Sequence, residues 1–281
     1  MPELPEVEVI RRDLEKEIVG KKIRSAEVRN TKNAMRMIRR HGRRKDFEDG
    51  LAGTKVAKID RRGKYILIYL DSGKVLVVHL GMSGQLVKTK SSAELANHTH
   101  VIIGFTVGGQ LRFIDPRTFG EIFVTDPDEL GNIRELQNLG QDPLEEAIPW
   151  QLFSETLSNK HTKLKGLLMD QKFISGLGNI YSDEILFASG LRFDRKSEDL
   201  SSQEVRRLYR SIQEVVQDAI RNRGTSADDE QYRDLYGQRG EYQQFLKVYQ
   251  REGKPCRRCR TPIQRSRWSN RSTFYCPQCQ V

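Results

Sequence analysis

Four cysteines, at positions 256, 259, 276 and 279, are the only ones in the 281-residue chain, and they come as two matched pairs, CRRC and CPQC, sixteen residues apart. That spacing lets two tight knuckles bring four thiolates to one tetrahedral zinc ion. A redox CxxC is the competing reading, but it does not account for two matched pairs, and no thioredoxin-like unit surrounds them. Four thiolates leave no open position, so the expected ion is one structural Zn2+ that holds a fold and does no chemistry. Between the pairs, RWSNRSTFY alternates as a hairpin whose tip presents Arg271, and a planar guanidinium there suits a phosphate.

Metal in place of disulfides fits a reducing compartment. No run of eighteen apolar residues occurs, and Glu3, Glu6 and Glu8 stand where a signal peptide would be basic and then apolar, so the expectation is a cytoplasmic protein with no membrane partner. The net charge of +10 is uneven: residues 1–130 carry 24 Lys and Arg against 18 Asp and Glu, residues 131–252 carry 17 against 20, and the last 29 carry 7 against none. A basic tail and a basic first half suit a polyanion, of which nucleic acid is the commonest, and also suit a ribosome-bound or simply well-solvated protein.

The chain begins MPELPEVEVIRRDLEKEIVG. Pro5 suits the first turn of a helix with Val7, Ile10, Leu14 and Ile18 on one face and Gly20 as its stop. Such a helix fixes the terminus against the core, and removal of Met1 turns Pro2 into a secondary amine, a nucleophile. From there to about residue 125, YILIYLDSGKVLVVHL, VIIGFTVGGQLRFID and FGEIFVT read as short strands with turn signals and no helical crossovers, which favours an antiparallel β-sandwich. Residues 126–149 are rich in Gly and Pro, and from Trp150 the period becomes helical, with Val205, Leu208, Ile212, Val215 and Ile220 on one side of a long helix. The expected organisation is therefore α+β: a β-sandwich domain over 1–130, a linker over 131–149, a helical domain over 150–244 and a zinc-finger hairpin over 245–281.

Several stretches carry candidate binding groups, each with a plain structural reading beside it. In KFISGLGNIYSDE, Gly176 and Gly178 make a tight turn and Asn179 opens the next helix, where exposed amides form a phosphate site or a simple connection. Lys163 and Lys165 add phosphate-facing candidates or are solvated. RNTKNAMRMIRRHGRRK holds eight basic residues and no acid, and lies along a DNA backbone or forms an exposed loop. Lys64, starting the strand in RRGKYILIYL, points to a phosphate or ends a strand. Met82 in HLGMSG and Phe119 in DPRTFG sit at glycine turns, as core residues or as wedges for a base stack. The five histidines have no metal spacing.

Taken together, PELPEVE, HLGMSG, DPRTFG, GLGNIYSDE and the cysteine module, in this order over nearly the whole chain, resemble the bacterial formamidopyrimidine-DNA glycosylase family. The resemblance implies an N-terminal β-sandwich, a helical domain with a helix-two-turn-helix motif and a lid loop, and a zinc finger. It also implies excision of oxidised purines, 8-oxoguanine and formamidopyrimidines, from damaged double-stranded DNA, through a Schiff base on Pro2 and successive β and δ eliminations. By the same resemblance Glu3 is the acid and base, Glu6 orients, and Lys64, Asn179 and Arg271 grip phosphates. Met82, Arg117 and Phe119 fill the void left by the extruded nucleotide, with Arg117 facing the orphaned cytosine. A monomer working on the bacterial nucleoid is implied as well. The sister endonuclease class for oxidised pyrimidines shares this mechanism but begins PEGPE where this chain has PELPE. A non-catalytic zinc-containing DNA-binding protein is the more distant alternative. The acidic run DDE at 228–230 departs from the family pattern where the lid should lie, which bears on lesion preference.

Overall fold

A computed structural model of the chain describes residues 2–144, 149–227 and 231–281. Helix α1 (Leu4–Ile18) starts on Glu3 as N-cap, with Pro5 in its first turn. Val7, Ile10, Leu14 and Ile18 are all buried, as their spacing predicts. Each contributes roughly 1.5–3 kcal/mol of burial, so packing holds this helix more than propensity does. Gly20 then takes a left-handed φ of +81°, a conformation that side chains disfavour, and turns the chain into the sheets.

The strands are β1 (Ile23–Val28), β2 (Val56–Arg62), β3 (Tyr65–Leu70), β4 (Val75–His79), β5 (Gln85–Thr89), β6 (Thr99–Phe105), β7 (Gln110–Ile114) and β8 (Glu121–Thr125). They form two four-stranded antiparallel sheets, ordered β1-β6-β7-β5 and β2-β3-β4-β8. Ile66, Ile68, Val78 and Ile122 of one sheet share a single core with Val101, Ile103, Leu111 and Phe113 of the other and with α1, which makes the expected sandwich. The basic stretch after β1 folds into two short helices, α2 (Lys32–Met37) and α3 (Arg44–Asp49), tied down by Met37 and Phe47. Its Arg39 and Arg40 pair with buried Glu121, and Arg40 also with Glu135, so part of its charge is already neutralised. The region expected as a linker holds a 3-10 turn (Pro127–Asn132) and α4 (Arg134–Gln137).

The chain divides into two compact units, Met1–Gln137 with Asn222–Gln243, and Asn138–Arg221 with Gln244–Val281. Residues 222–243, expected with the helical domain, cluster here with the sandwich. Their polar anchors explain it: Arg223 pairs with Asp13 of α1, and the Lys88 amide of β5 donates to the Leu235 carbonyl.

The second unit contains α5 (Trp150–Ser158), α6 (Leu164–Met169), α7 (Asn179–Ser189) and α8 (Ser202–Arg221), followed by the hairpin β9 (Gln264–Trp268) and β10 (Arg271–Tyr275). The α8 residues Val205, Leu208, Ile212, Val215 and Ile220 are buried as their period requires. The cysteine module packs on α7 through Phe187, Ile263 and Phe274. Arg258 donates to the Phe187 and Ala188 carbonyls and lies 4.3 Å over the Phe187 ring. Among the described residues no helix is long and apolar enough to cross a membrane.

Candidate functional site

The amino end is built into the sandwich unit. Pro2 is buried, and Glu3 and Glu6 are each only 1% exposed. Two carboxylates can sit there because both are spent on backbone amides. The side chains of Glu3 and Glu6 cap the helix reciprocally, and the Glu3 amide donates to Glu6 Oε2 at 2.8 Å. Glu6 Oε1 accepts the Thr225 amide at 2.7 Å. Gly224, at φ +76°, lies so close that a Cβ there would meet Glu6 Oε1 at 2.8 Å. The result is a fixed proline nitrogen position flanked by a buried acid, which is the geometry an amine nucleophile and a proton carrier need. Met1 and the DDE run at 228–230 lie outside the described residues.

Lys64 stands on the turn between β2 and β3, one residue before the strand that was expected to begin with it. The turn is set from inside. Glu8 of α1 holds buried Arg61 at 3.0 Å, and Arg61 donates to the Gly63 carbonyl at 3.0 Å. Arg11 and Arg12 also bond Glu8 and hold its carboxyl below the usual range against the opposing effect of burial. His79 stacks on Tyr65 at 4.4 Å, and burial, with Lys64 and Arg39 nearby, pushes its imidazole down to about 4.

HLGMSG and DPRTFG come together on one buried carboxylate. Asp115 Oδ1 accepts from Ser83 Oγ at 2.5 Å and from the Arg117 amide at 3.1 Å, while Oδ2 accepts the Gly120 amide at 2.7 Å. Gly81, at φ +61°, permits the contact, since a Cβ there would lie 2.6 Å from the Gly120 nitrogen. Met82 and Phe119 are left exposed at 37% and 54%, and the Arg117 guanidinium sits 5.3 Å from the Phe119 ring. These apolar side chains on a clamped pair of turns therefore stand outside the core.

In the second unit Gly176 (φ +88°) turns the chain and Gly178 caps α7, so Asn179 opens the helix as expected. Asn179 Nδ2 donates to the Ser272 carbonyl at 3.0 Å, which fastens the start of β10 and thus Arg271 beside the helix entry. Arg271 follows the two-residue hairpin turn Ser269–Asn270, both in left-handed conformations. Lys163 is exposed at the N-cap of α6. Lys165 departs from its expected place on the surface. It is fully buried, 2.7 Å from Asp183 Oδ1 and 2.9 Å from the Asn179 carbonyl, because α6 packs on α7, where Asp183 stands ready to pair with it. Asp183 also accepts Thr273 Oγ1 at 2.5 Å and the Phe274 amide at 2.9 Å, and its burial raises its pKa while Lys165 opposes the rise. Its neighbour Glu184 takes three backbone amides, of Lys247, Val248 and Tyr249, at 2.8–2.9 Å. These two acids, with Glu8, Arg61, Asp115 and Arg223, form the support that motif reading missed. For Asp183 and Glu184 the signal was an acid pair inside the otherwise apolar IYSDEILFAS.

The four cysteine sulfurs lie within 4.8 Å of one another, with 3.8 Å between Cys256 and Cys279 and 3.4 Å between Cys259 and Cys276. Tetrahedral Zn–S bonds of about 2.3 Å put sulfurs about 3.8 Å apart, so the set fits one structural zinc. Gln280 accepts the Cys276 amide at 2.9 Å and donates to the Leu191 carbonyl, tying the second knuckle to the segment after α7.

Three family profiles match the chain: the formamidopyrimidine-DNA glycosylase N-terminal domain over residues 1–122, its H2TH domain over 139–230, and a zinc finger found in FPG and IleRS over 253–281. The formamidopyrimidine-DNA glycosylase of Pelotomaculum thermopropionicum is 43% identical over 280 residues, spanning 100% of this chain and 99% of that protein. Among solved structures, the MutM (Fpg) protein of Thermus thermophilus is similar at a TM-score of 0.87 and 36% identity, covering 99% of this chain and 98% of that one. Lactococcus lactis Fpg in complex with DNA containing an abasic site is similar at a TM-score of 0.89 and 33% identity, covering 99% of both chains.

Proposed function

The chain belongs to the formamidopyrimidine-DNA glycosylase family, and we propose that it excises oxidised purines, 8-oxoguanine and formamidopyrimidines, from duplex DNA and then cuts the strand as an AP lyase. The observation that carries this is the amino end: a buried proline whose two neighbouring glutamates are locked into the first turn of α1. With Met1 removed, the Pro2 amine attacks the sugar C1′ and the C1′–base bond breaks. The departing base takes a proton, and the sugar opens to an iminium on Pro2. Loss of a C2′ proton then expels the 3′ phosphate, and a second elimination expels the 5′ phosphate. Glu3 carries the protons at the sugar, while Glu6 fixes the Glu3 backbone and so the direction of the amine. An α-amine has a pKa of roughly 7.7–8.0, so neutral nucleophile exists at neutral pH.

The target nucleotide must leave the stack to reach Pro2. Met82 and Phe119 take its place and Arg117 faces the unpaired partner base. Lys64, Lys163, Asn179 and Arg271 hold phosphates, and Lys165 supports Asn179 and β10 from within. We infer a monomer in the bacterial cytoplasm. The test is borohydride trapping on duplexes carrying 8-oxoguanine or an abasic site. A covalent complex is expected with the processed chain and none when the terminus is extended by one residue. Glu3→Gln should lose about 10² to 10⁴ of the excision rate, the usual worth of acid-base catalysis, yet still nick abasic DNA. Trapping that persists on the extended chain rules out Pro2, and equal loss on both substrates makes Glu3 a positioning group for the amine.

A further inference from the structure

We propose that Arg223 is a positioning residue for the amino-terminal site, a latch that presses the Gly224–Thr225 backbone onto Glu6; the proposal rests on the function inferred above. Arg223 adopts φ +60° and Gly224 φ +76°, two successive left-handed residues. Glycine takes this conformation freely, whereas a side chain there is strained. An arginine at such a place has to be held by its side chain, and this one is. Its guanidinium donates to both oxygens of Asp13, at 3.0 and 2.5 Å, and also to Asp234. Both carboxylates are buried, with side chains 4% and 3% exposed. Asp234 in turn caps its own turn by accepting the Tyr236 and Gln238 amides.

The spacing on α1 gives the latch its meaning. Glu6 and Asp13 are seven residues, two helical turns, apart and so share a face, and Glu17 is one further turn along. The strap is fastened along this face: the Thr225 amide binds Glu6, Arg223 binds Asp13, and the Tyr236 hydroxyl donates to Glu17, which also pairs with Lys88. Of these fastenings the first reaches Glu6, through the Thr225 amide. Arg223 is two residues away and carries the strongest anchor. Its loss frees the Thr225 amide to drift, and Glu6 then holds the Glu3 backbone, and the Pro2 amine, less firmly.

Arg223→Gly separates the side chain from the strain, since glycine keeps the left-handed backbone and removes the whole side chain with its guanidinium. Single-turnover excision at saturating enzyme should fall about tenfold, with the dissociation constant for lesion duplex changed less than twofold. Hydrogen exchange at the Thr225 amide should rise by a similar factor. Because the effect passes through Glu6, Arg223→Gly should add little in a Glu6→Gln background. Arg223→Lys, able to reach one carboxylate, should restore part of the rate. Should the two uncompensated aspartates unfold the variant, Arg223→Gly combined with Asp13→Asn and Asp234→Asn removes the buried charge and should still be slow. A rate within twofold of the parent, or a full further tenfold loss in the Glu6→Gln background, overturns the latch. A parent chain that never traps with borohydride sinks the proposed function instead, and the Thr225 exchange rate then decides the latch alone.

Discussion

Replacing Lys165 with methionine separates two roles that a lysine beside a helix entry can have. Lys165 is fully buried and its ammonium lies 2.7 Å from Asp183, itself 1% exposed. Methionine fills similar volume but removes the cation, leaving a buried carboxylate with the Thr273 hydroxyl and Phe274 amide as donors. Breaking a buried pair from one side costs about 3–5 kcal/mol, and the two surviving donors place the expected loss near the lower end. The loss has a pH signature. Burial already raises the Asp183 pKa, and without Lys165 it rises further. A folded pKa above the unfolded value means stability is full below the unfolded pKa and lost as pH climbs through the folded one, so the deficit should be larger at pH 8 than at pH 5. Denaturant unfolding at both pH values measures it, and adding Asp183→Asn should recover much of the loss. DNA affinity supplies the opposing test, because each phosphate contact contributes about 0.9 to the slope of log K against log salt. The slope should be unchanged in Lys165→Met, measured below its melting transition. Parent-like stability with a slope reduced by about one would mean that Lys165 grips phosphate after all.

Removing zinc with a strong chelator should unfold the β9–β10 hairpin and cost DNA affinity by displacing Arg271, while the sandwich keeps its melting transition; metal analysis should find about one zinc per chain, and a zinc-free chain with full amide protection in the hairpin contradicts the reading. His79 is held down to about 4 from an ordinary 6.5, so the unfolded chain binds the extra proton and stability falls as pH drops through that window, by up to about 2 kcal/mol at pH 5. His79→Gln should flatten that dependence in unfolding measured from pH 7 to 5, and an unchanged slope would assign it to other groups.

The elements with strong periodicity were legible in the sequence: α1 and α8 from their apolar faces, β3, β4, β6, β7 and β8 from apolar runs with glycine turns. Strands β1 and β2 were not, because IRSAEV and VAKIDRR carry charges at sites that face outward or pair across the fold, as Arg61 does with Glu8. The basic stretch hid α2 and α3, since six-residue helices are too short to show a period. Motif residues were legible as identities, but burial was not: nothing in HTKLKGLLMD distinguishes Lys163 outside from Lys165 inside until α7 supplies Asp183. The placement of residues 222–243 was equally hidden, because it depends on ion pairs between Arg223 and acids 210 residues before and 11 after it.

A common device underlies the parts of the candidate site. Each candidate group stands on a turn, strand or helix end fastened from beneath by a buried acid: Glu6 under Glu3, Glu8 through Arg61 under Lys64, Asp115 under Met82, Arg117 and Phe119, and Asp183, through Thr273 and Phe274, under the strand β10 that carries Arg271. A carboxylate has about four acceptor sites and can satisfy several backbone amides at once, which a neutral side chain cannot match. Glu6 and Asp115 spend themselves largely on backbone amides, and Glu8 and Asp183 on cations that are themselves buried or turned along α1. Surface cations such as Lys163 and Arg271 need not anchor the loops that present them, so their charge remains available to a polyanion. In sequence such supports look misplaced, as acids within apolar runs or beside glycine turns, and that misfit is the feature by which they can be recognised.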